Sequence, residues 1–181
     1  MKLLLHIDAS EEGDPKSWQD VRKFLTPAAA EGFSRVLGEE LSSLYPDIGR
    51  YGEVEVSVSF LNGAEMREVN RNYRGVDEAT DVLSFPLWES DGKFAPLEEI
   101  PELLPLGDIL VCPGEAIRLH GELSSPRTLC LMLAHGFLHL LAWDHDTPEG
   151  KRVMWERQDR IRDRLTGVLA PDDRNSTKEG R

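Results

Sequence analysis

Cysteine and long hydrophobic runs are scarce in this chain of 181 residues. It has two cysteines, Cys112 and Cys130, and they do not form a C-x-x-C pair. Two such cysteines exclude a disulfide scaffold, and we expect both thiols to be reduced and buried. The apolar start is broken by His6 and Asp8, which favours a first strand over a signal peptide. Because no stretch is long enough to cross a bilayer, we expect a soluble, cytoplasmic protein without a membrane partner.

Positive charge is also in short supply. The chain has 21 Lys and Arg residues against 33 Asp and Glu residues, a formal net charge of −12. This balance opposes non-specific binding to nucleic acid, which depends on cations that neutralise phosphates. The cations are clustered, however, in two segments: Arg67, Arg71 and Arg74, then Lys151, Arg152, Arg157, Arg160, Arg162 and Arg164. We interpret the second cluster as a solvated helix face interleaved with acidic residues, and the first as a local basic patch.

Histidine, in contrast, is concentrated in one place. Three of the five histidines, His135, His139 and His145, lie within eleven residues. Positions i and i+4 share one face of a helix, so His135 and His139 can reach one point, and His145 can close a three-nitrogen site. Three protein ligands are typical of catalytic zinc sites, which activate a water molecule at the open fourth position. The alternative is that these histidines only pack against or cap a helix.

The spacing matches the zinc-protease pattern H-E-x-x-H-x-x-G-x-x-H, with two differences. Gly136 stands where the protease has its general-base glutamate, so peptide hydrolysis is disfavoured. Ala142 stands where the pattern has a glycine. A left-handed backbone costs a non-glycine residue about 1 kcal/mol or more. The sequence therefore leaves open how the chain turns at Ala142 and, with it, the placement of His145.

The remaining pattern predicts alternating strands and helices in a domain of residues 1–170, followed by a disordered polar tail, 171–181. Strands are predicted at 3–7, 54–60, 82–85 and 109–111, and helices at 26–44, 62–73, 113–120, 126–140 and 147–165. Thr26, Asn62 with Glu65, and Thr147 are the predicted helix caps. Residues 8–19 and 86–105 are predicted surface loops, with a turn at Asp91-Gly92 and a helix stop at Gly121.

Three sequence blocks carry a family resemblance over roughly residues 50–165. They are N-x-x-Y-R-x-x-D-x-x-T-D-V-L-S-F-P from Asn70 to Pro86, L-G-D-I from Leu106 to Ile109, and H-G-x-L-H-L-x-x-x-D-H from His135 to His145. The chain resembles the YbeY-type bacterial endoribonucleases, which are ribosomal RNA maturation factors. Ala142 departs from the glycine usual in the third block, and the acidic loop after Pro86 is individual to this chain.

The resemblance implies a single-domain α+β fold, with a mixed sheet of about four strands packed with helices and a zincin-like metal-binding helix. It implies one zinc ion, or another divalent transition metal, held in a cleft by His135, His139 and His145. The implied activity is endonucleolytic cleavage of single-stranded RNA in 16S rRNA maturation and ribosome quality control. The implied partners are rRNA, small-subunit ribosomal proteins and a ribosome-assembly GTPase.

The resemblance also assigns residue roles. Arg74 and His135 are the candidate catalytic residues, with Arg74 binding the substrate phosphate through its planar guanidinium. Without the resemblance, a surface arginine at a helix end is the favoured interpretation of Arg74. Asp81, Asp108 and Asp144 are candidate acceptors that hold metal-bound imidazoles, or alternatively turn and cap residues. The general base stays open, since another group or the RNA 2′-hydroxyl could fill that role.

Two further hypotheses follow from the same residues. A metal-dependent hydrolase of peptides or small molecules shares the histidine spacing and suits an acidic chain, but lacks the glutamate at Gly136. A non-catalytic ribosome-assembly factor could hold a structural metal if Cys130, Asp144 or another acid supplied a fourth ligand. Four protein ligands around the metal would therefore contradict a catalytic role.

Overall fold

A computed structural model of the protein describes residues 1–8, 23–96, 102–120 and 126–169. The strands are β1 (Lys2–Asp8), β2 (Glu53–Phe60), β3 (Val82–Pro86), β4 (Glu89–Ser90), β5 (Lys93–Phe94) and β6 (Leu103–Val111). The helices are α1 (Pro27–Leu44), α2 (Gly63–Arg74), α3 (Pro113–His120), α4 (Pro126–Leu140) and α5 (Pro148–Leu169), with a short 3-10 helix at Pro46–Arg50.

The main sheet has four strands in the order β1-β2-β6-β3. β2 pairs in parallel with β1 and with β6, whereas β3 pairs with β6 in the antiparallel direction. The predicted α+β fold with a mixed four-stranded sheet is therefore confirmed. β4 and β5 form a separate hairpin, and positive φ angles at Asp91 (51°) and Gly92 (69°) confirm the predicted turn.

The core lies between the sheet and the helices α1, α4 and α5. The alternation in β2 buries Val54, Val56, Val58 and Phe60, and α4 buries most of its circumference against the sheet. Burial of each large apolar side chain contributes roughly 1.5–3 kcal/mol, so α4 is firmly held. None of the described helices has the length and apolar character needed to cross a membrane. Cys112 and Cys130 are buried free thiols, as expected.

Three predicted helix starts are confirmed by their capping hydrogen bonds. The Thr26 hydroxyl accepts a hydrogen bond from the Ala29 amide at 3.1 Å, and Thr147 accepts one from the Gly150 amide at 3.0 Å. Asn62 and Glu65 form a reciprocal capping box at the start of α2. These polar side chains satisfy amides that have no partner inside the first helical turn.

The predicted surface loop up to residue 105 is wrong at its end, because β6 begins at Leu103. Pro105 lies inside this central strand, opposite a register shift between Glu55 and Val56 of β2. Proline lacks an amide hydrogen, and such an irregularity is where a sheet tolerates it. The Pro105 carbonyl also accepts a hydrogen bond from the Trp88 indole at 2.5 Å. The predicted features at 9–19, 97–101, Gly121 and 171–181 lie outside the described residues.

The second basic cluster is not simply a solvated helix face. Three arginines of α5 converge on Glu40 of α1, whose side chain is buried: Arg157 at 3.3 Å, Arg160 at 3.0 Å and Arg164 at 2.5 Å. Hydrogen bonds and charges from Arg160 and Arg164 outweigh the effect of burial and lower the pKa of Glu40. An ionised carboxylate therefore joins α1 to α5.

Candidate metal centre

The three histidines of the motif converge on one point. α4 places His135 and His139 one turn apart, with their Nε2 atoms 3.1 Å from each other. His145 follows the helix end, and ligand atoms of the three rings lie within 4.8 Å of one another. Two nitrogens in a tetrahedral zinc site are about 3.3 Å apart, since each bond measures about 2.0–2.1 Å. The three imidazoles therefore fit a divalent transition metal.

Both histidines of α4 are neutral near pH 7. Burial lowers the pKa of His135, and burial together with the neighbouring His135 and His145 lowers the pKa of His139 to about 4. Only the neutral ring offers a nitrogen lone pair to a metal. The packing of α4 therefore keeps this pair in the state that binds metal.

His135 has an orienting partner that the sequence did not reveal. Its Nδ1 atom lies 2.8 Å from Oε1 of Gln158 on α5. When Nδ1 carries the proton and donates it to this amide oxygen, Nε2 is left as the acceptor that faces His139. Gln158 is 23 residues further along the chain, and its role depends on the packing of α5 against α4.

The structure shows the turn at Ala142 that the sequence leaves open. Ala142 adopts the left-handed conformation, with φ 57°. Its amide donates a hydrogen bond to the His139 carbonyl at 3.0 Å, and the Trp143 amide donates one to the Leu138 carbonyl at 3.0 Å. These bonds end the helix. Tyr45, the residue that follows α1, donates a hydrogen bond from its hydroxyl to the Leu141 carbonyl at 3.1 Å. Surrounding contacts thus impose the glycine-type turn on alanine.

We expect Ala142→Gly to raise the free energy of unfolding by about 0.5–1 kcal/mol, because relief of left-handed strain exceeds the added entropy of the unfolded chain. Urea unfolding of the metal-free protein measures this. The matched control is Ala64→Gly, at an exposed helical position, which should lower stability by a similar amount. Destabilisation of equal size at both positions would contradict strain at Ala142.

The histidines line a cleft of about 640 Å³ that opens between β3, α4 and α5. Among the other lining residues are one cation, one large aromatic ring, several acids and a fourth histidine: Arg74, Trp155, Asp81, Glu89, Asp144, Asp146 and His120. Such a volume accommodates part of a polymer substrate or a small molecule. The cleft therefore brings together the first and third sequence blocks.

The structure places the three predicted acidic residues differently. Asp144 lines the cleft, and its Oδ1 accepts a hydrogen bond from the His145 amide at 2.6 Å, which caps the turn. Asp81 also lines the cleft, but its partner is His120, at 2.7 Å. Asp108 is exposed on β6 and does not belong to the cleft lining, because alternation along the strand directs its neighbour Ile109 toward α4. Asp108 therefore lies apart from the cleft that the three histidines line.

The sequence profile of the family described as Endoribonuclease YbeY matches residues 22–166 of this chain. The chain belongs to the Endoribonuclease YbeY family. A relative named Endoribonuclease YbeY from Moorella thermoacetica is 43% identical over 144 residues, which cover 73% of this chain and 89% of the relative. The relative from Caldanaerobacter subterraneus is 35% identical over 145 residues, which cover 77% of this chain and 92% of the relative. The relative from a Thermoanaerobacter species is 42% identical over 118 residues, which cover 62% of this chain and 74% of the relative. The predicted family is confirmed.

Close packing explains why this YbeY family member has Gly136 where zinc proteases have glutamate. A Cβ atom built at Gly136 would lie 2.7 Å from the Ile109 Cγ2 atom and 3.1 Å from the Ser84 hydroxyl. The closer distance is shorter than real contacts of a Cβ atom. α4 therefore approaches β3 and β6 so closely that a side chain at residue 136 does not fit. This disfavours the hypothesis of a peptide hydrolase.

Arg74 is the cationic residue of the cleft lining. It is exposed at the C-terminal end of α2, and no carboxylate pairs with it among the residues that the structure describes. Arg67 of the same helix, in contrast, forms a bidentate pair with Asp77 at 2.7 and 2.9 Å. Asn70 fixes the same segment through a 2.7 Å hydrogen bond to the Glu78 carbonyl. The motif residues thus anchor the loop and, within the described ranges, leave the Arg74 guanidinium without a carboxylate partner.

Proposed function

We propose that this YbeY family protein is a zinc-dependent, single-strand-specific endoribonuclease that acts in 16S rRNA maturation and ribosome quality control. The observation that carries the proposal is the convergence of three imidazole rings in a cleft that also contains Arg74, which has no carboxylate partner among the described residues. We further propose that residues 1–170 form the single hydrolase domain, that residues 171–181 form its tail, and that the protein works in the cytoplasm, where ribosomal subunits are assembled.

The metal would be held by His135, His139 and His145. A zinc ion with three protein ligands and an open position lowers the pKa of water to about 7 and stabilises negative charge on a phosphoryl oxygen. Gln158 holds the His135 ring through its 2.8 Å contact, and Asp144 fixes the backbone at His145. His135 thereby belongs to the catalytic site as a ligand whose direction is set by α5.

Arg74 would bind the substrate phosphate. Its planar guanidinium presents paired donors that match two phosphate oxygens, and no internal carboxylate among the described residues competes for it. A phosphate held at Arg74 places a phosphodiester in the same cleft as the three histidines. This arrangement is what positions the scissile bond.

Trp155 supports a preference for single strands. Its indole is 48% exposed and lines the cleft, and the Lys151 ammonium lies 4.4 Å from its ring centroid. Exposed aromatic rings bind unpaired bases by stacking, whereas the bases of a duplex are already stacked on each other. An unpaired nucleotide is therefore the substrate that suits this wall of the cleft.

The net charge of −12 indicates how the protein would find its substrate. Such a chain gains little affinity from the polyanionic backbone of RNA in general. We propose that small-subunit ribosomal proteins and a ribosome-assembly GTPase deliver it to rRNA, so that local contacts at the cleft replace general electrostatic attraction.

Cleavage of an end-labelled single-stranded RNA by the zinc-loaded protein tests the proposed function. A duplex of the same sequence is the matched substrate, and the apoprotein is the matched enzyme. We expect internal cuts in the single strand, few cuts in the duplex and none without metal. Bound zinc without cleavage of naked RNA or of small ribosomal subunits would contradict a nuclease and favour an assembly factor with a structural metal.

We expect Arg74→Ala to retain the metal but to slow RNA cleavage about 10- to 100-fold, since a hydrogen-bonded charge contributes roughly 1.5–3 kcal/mol. Single-turnover rates and metal content measure the two properties separately. Arg71→Ala is the control, because Arg71 lies on the same helix and its nearest carboxylate, on Asp77, is 3.8 Å away. Equal rates for wild type and Arg74→Ala would remove Arg74 from the site.

A further inference from the structure

A fourth histidine lies in the cleft without belonging to the metal-binding set. His120 is the last residue of α3 and lines the cleft together with Asp81. Its Nε2 atom is 2.7 Å from Oδ2 of Asp81. The side chain of His120 is 36% exposed, whereas that of Asp81 is only 16% exposed. A half-buried acid thus holds a histidine at the edge of the cleft.

Asp81 is itself fixed by its surroundings. Its Oδ1 accepts a hydrogen bond from the Val82 amide at 2.9 Å and one from the Thr80 hydroxyl at 3.1 Å. The other oxygen is left for His120. When the His120 Nε2 carries its proton and donates it to this carboxylate, Nδ1 is the nitrogen free to exchange a proton. The ring is therefore held in one direction with one nitrogen available.

The location distinguishes this pair from an ordinary surface contact. His6 also meets an acid, Glu55, at 3.4 Å, but that pair lies on β1 and β2 and does not line the cleft. His120 and Asp81 lie close enough to the metal-binding residues to act on their charge. Burial is the main cause that lowers the pKa of His135, and Asp81 and His120 modify it through electrostatic interactions.

The chemistry of phosphodiester cleavage leaves a task for such a residue. A ribose oxygen leaves as an alkoxide unless it receives a proton while its bond to phosphorus breaks. In zinc peptidases the glutamate of the helix motif serves the leaving group, and Gly136 removes it here. Arg74 remains protonated throughout, so it can bind phosphate but does not supply this proton.

We propose that His120 is a catalytic residue that donates a proton to the leaving ribose oxygen, and that Asp81 is the positioning residue that aims it; the inference rests on the proposed RNA cleavage. An attacking oxygen, from water or the RNA 2′-hydroxyl, forms a new bond to phosphorus and loses its proton to the solvent. The P–O bond to the leaving ribose oxygen breaks, its electron pair stays on that oxygen, and the proton on Nδ1 of the doubly protonated ring forms the O–H bond. The ring is left neutral, with Nε2–H still donated to Asp81. Water returns a proton to Nδ1 before the next turnover.

A sulfur-substituted RNA tests this role. The ends of the wild-type products show which ribose oxygen leaves, and a substrate with sulfur at that one bridging position has a thiolate leaving group that needs no proton. We expect His120→Gln and His120→Ala to slow single-turnover cleavage of ordinary RNA about 10²- to 10⁴-fold, the usual contribution of proton transfer. On the sulfur-substituted RNA both variants should cut within about tenfold of wild type, because the lost step is no longer required.

Asp81→Asn extends the test to the positioning residue. We expect a loss of about tenfold on ordinary RNA, smaller than for the His120 variants, and again little loss on the sulfur-substituted RNA. His6→Ala is the matched histidine control and should leave both rates unchanged. Metal content is measured for every variant, since a merely structural role of His120 would lower metal binding and affect both substrates alike.

The possible results separate the inference from the function on which it rests. Selective rescue by sulfur, with unchanged metal content, establishes proton donation by His120. Equal losses on the two RNAs, or no loss on either, overturn it while the nuclease stands. Failure of the zinc-loaded wild type to cut any RNA overturns the proposed function and this inference with it. His120→Gln keeps a hydrogen-bonding side chain beside Asp81, so a folding defect in His120→Ala does not weaken the test.

Discussion

Replacement of His139 by alanine is expected to abolish metal binding and RNA cleavage together. His139 is the middle ligand of the motif, with its Nε2 atom 3.1 Å from that of His135 and its ring beside His145. Loss of residues that only orient a ligand typically costs 10- to 100-fold in metal affinity or activity, so loss of a ligand should exceed about 100-fold. The remaining pair of histidines would leave the site with too few protein donors.

Metal content and cleavage rate are measured on wild type and His139→Ala purified in parallel. The parallel preparation exposes any contaminating nuclease, because a contaminant would act in both samples. His6→Ala, which removes a histidine outside the cleft, should keep both metal and activity. Cleavage that persists in His139→Ala would show that the activity does not come from this site, and metal that persists would show that His139 is not an essential ligand.

The second large effect is expected on stability, from Glu40→Gln. The amide keeps the shape of the buried side chain but removes the negative charge on which Arg157, Arg160 and Arg164 converge. Arg164 retains its pair with Glu39. Breaking a buried ion pair costs about 3–5 kcal/mol, and we expect about 2–3 kcal/mol here because the arginines are partly exposed and can turn toward water. For a domain of this size the melting temperature should fall by roughly 5–10 °C.

Glu39→Gln is the matched control for Glu40→Gln. Glu39 is the preceding residue and pairs with Arg35 and Arg164, but its side chain is 51% exposed. An exposed pair contributes at most about 1 kcal/mol, so this variant should unfold almost like wild type. Equal destabilisation by the two substitutions would contradict a special role for the buried carboxylate.

At low pH, the difference in the free energy of unfolding between wild type and Glu40→Gln should disappear. The arginines lower the pKa of Glu40 in the folded protein below its ordinary value of 4.5. The ionised group therefore stabilises the fold above the unfolded-state pKa, and this contribution is lost as the pH falls through the folded-state pKa. Urea unfolding of the two proteins from neutral to acidic pH should show converging free energies of unfolding at the acidic end.

Local patterns were sufficient to predict most of the helices and strands. Thr26, Asn62 and Thr147 satisfy amides within their own first turns, so the short-range sequence contains the whole interaction. β6 was predicted too short because Pro105 reads as a loop residue in isolation. Its place in the strand depends on the irregular pairing with β2, whose partner residues lie about fifty positions earlier in the chain.

The candidate site also combines features that local sequence predicts with features that depend on packing between distant segments. The convergence of His135 and His139 was predictable because a helix fixes the relation between positions 135 and 139. Their partners were not: Gln158 is 23 residues from His135, and His120 is 39 residues from Asp81. The position of Asp108 outside the cleft lining was not predictable either, since only the sheet shows which face of β6 a residue occupies. The side chains that orient the site come from packing between elements.

The close contact between Gly136 and Ile109 also limits which reactions mutation can open to this scaffold. A single codon change can introduce glutamate at residue 136 and create the H-E-x-x-H part of the protease pattern. The side chain would force α4 away from β6 and displace the two imidazoles that the helix carries. Conversion of this protein into a peptidase would therefore first require changes in the sheet beneath the helix. A variant that differs only at residue 136 would not gain peptidase activity.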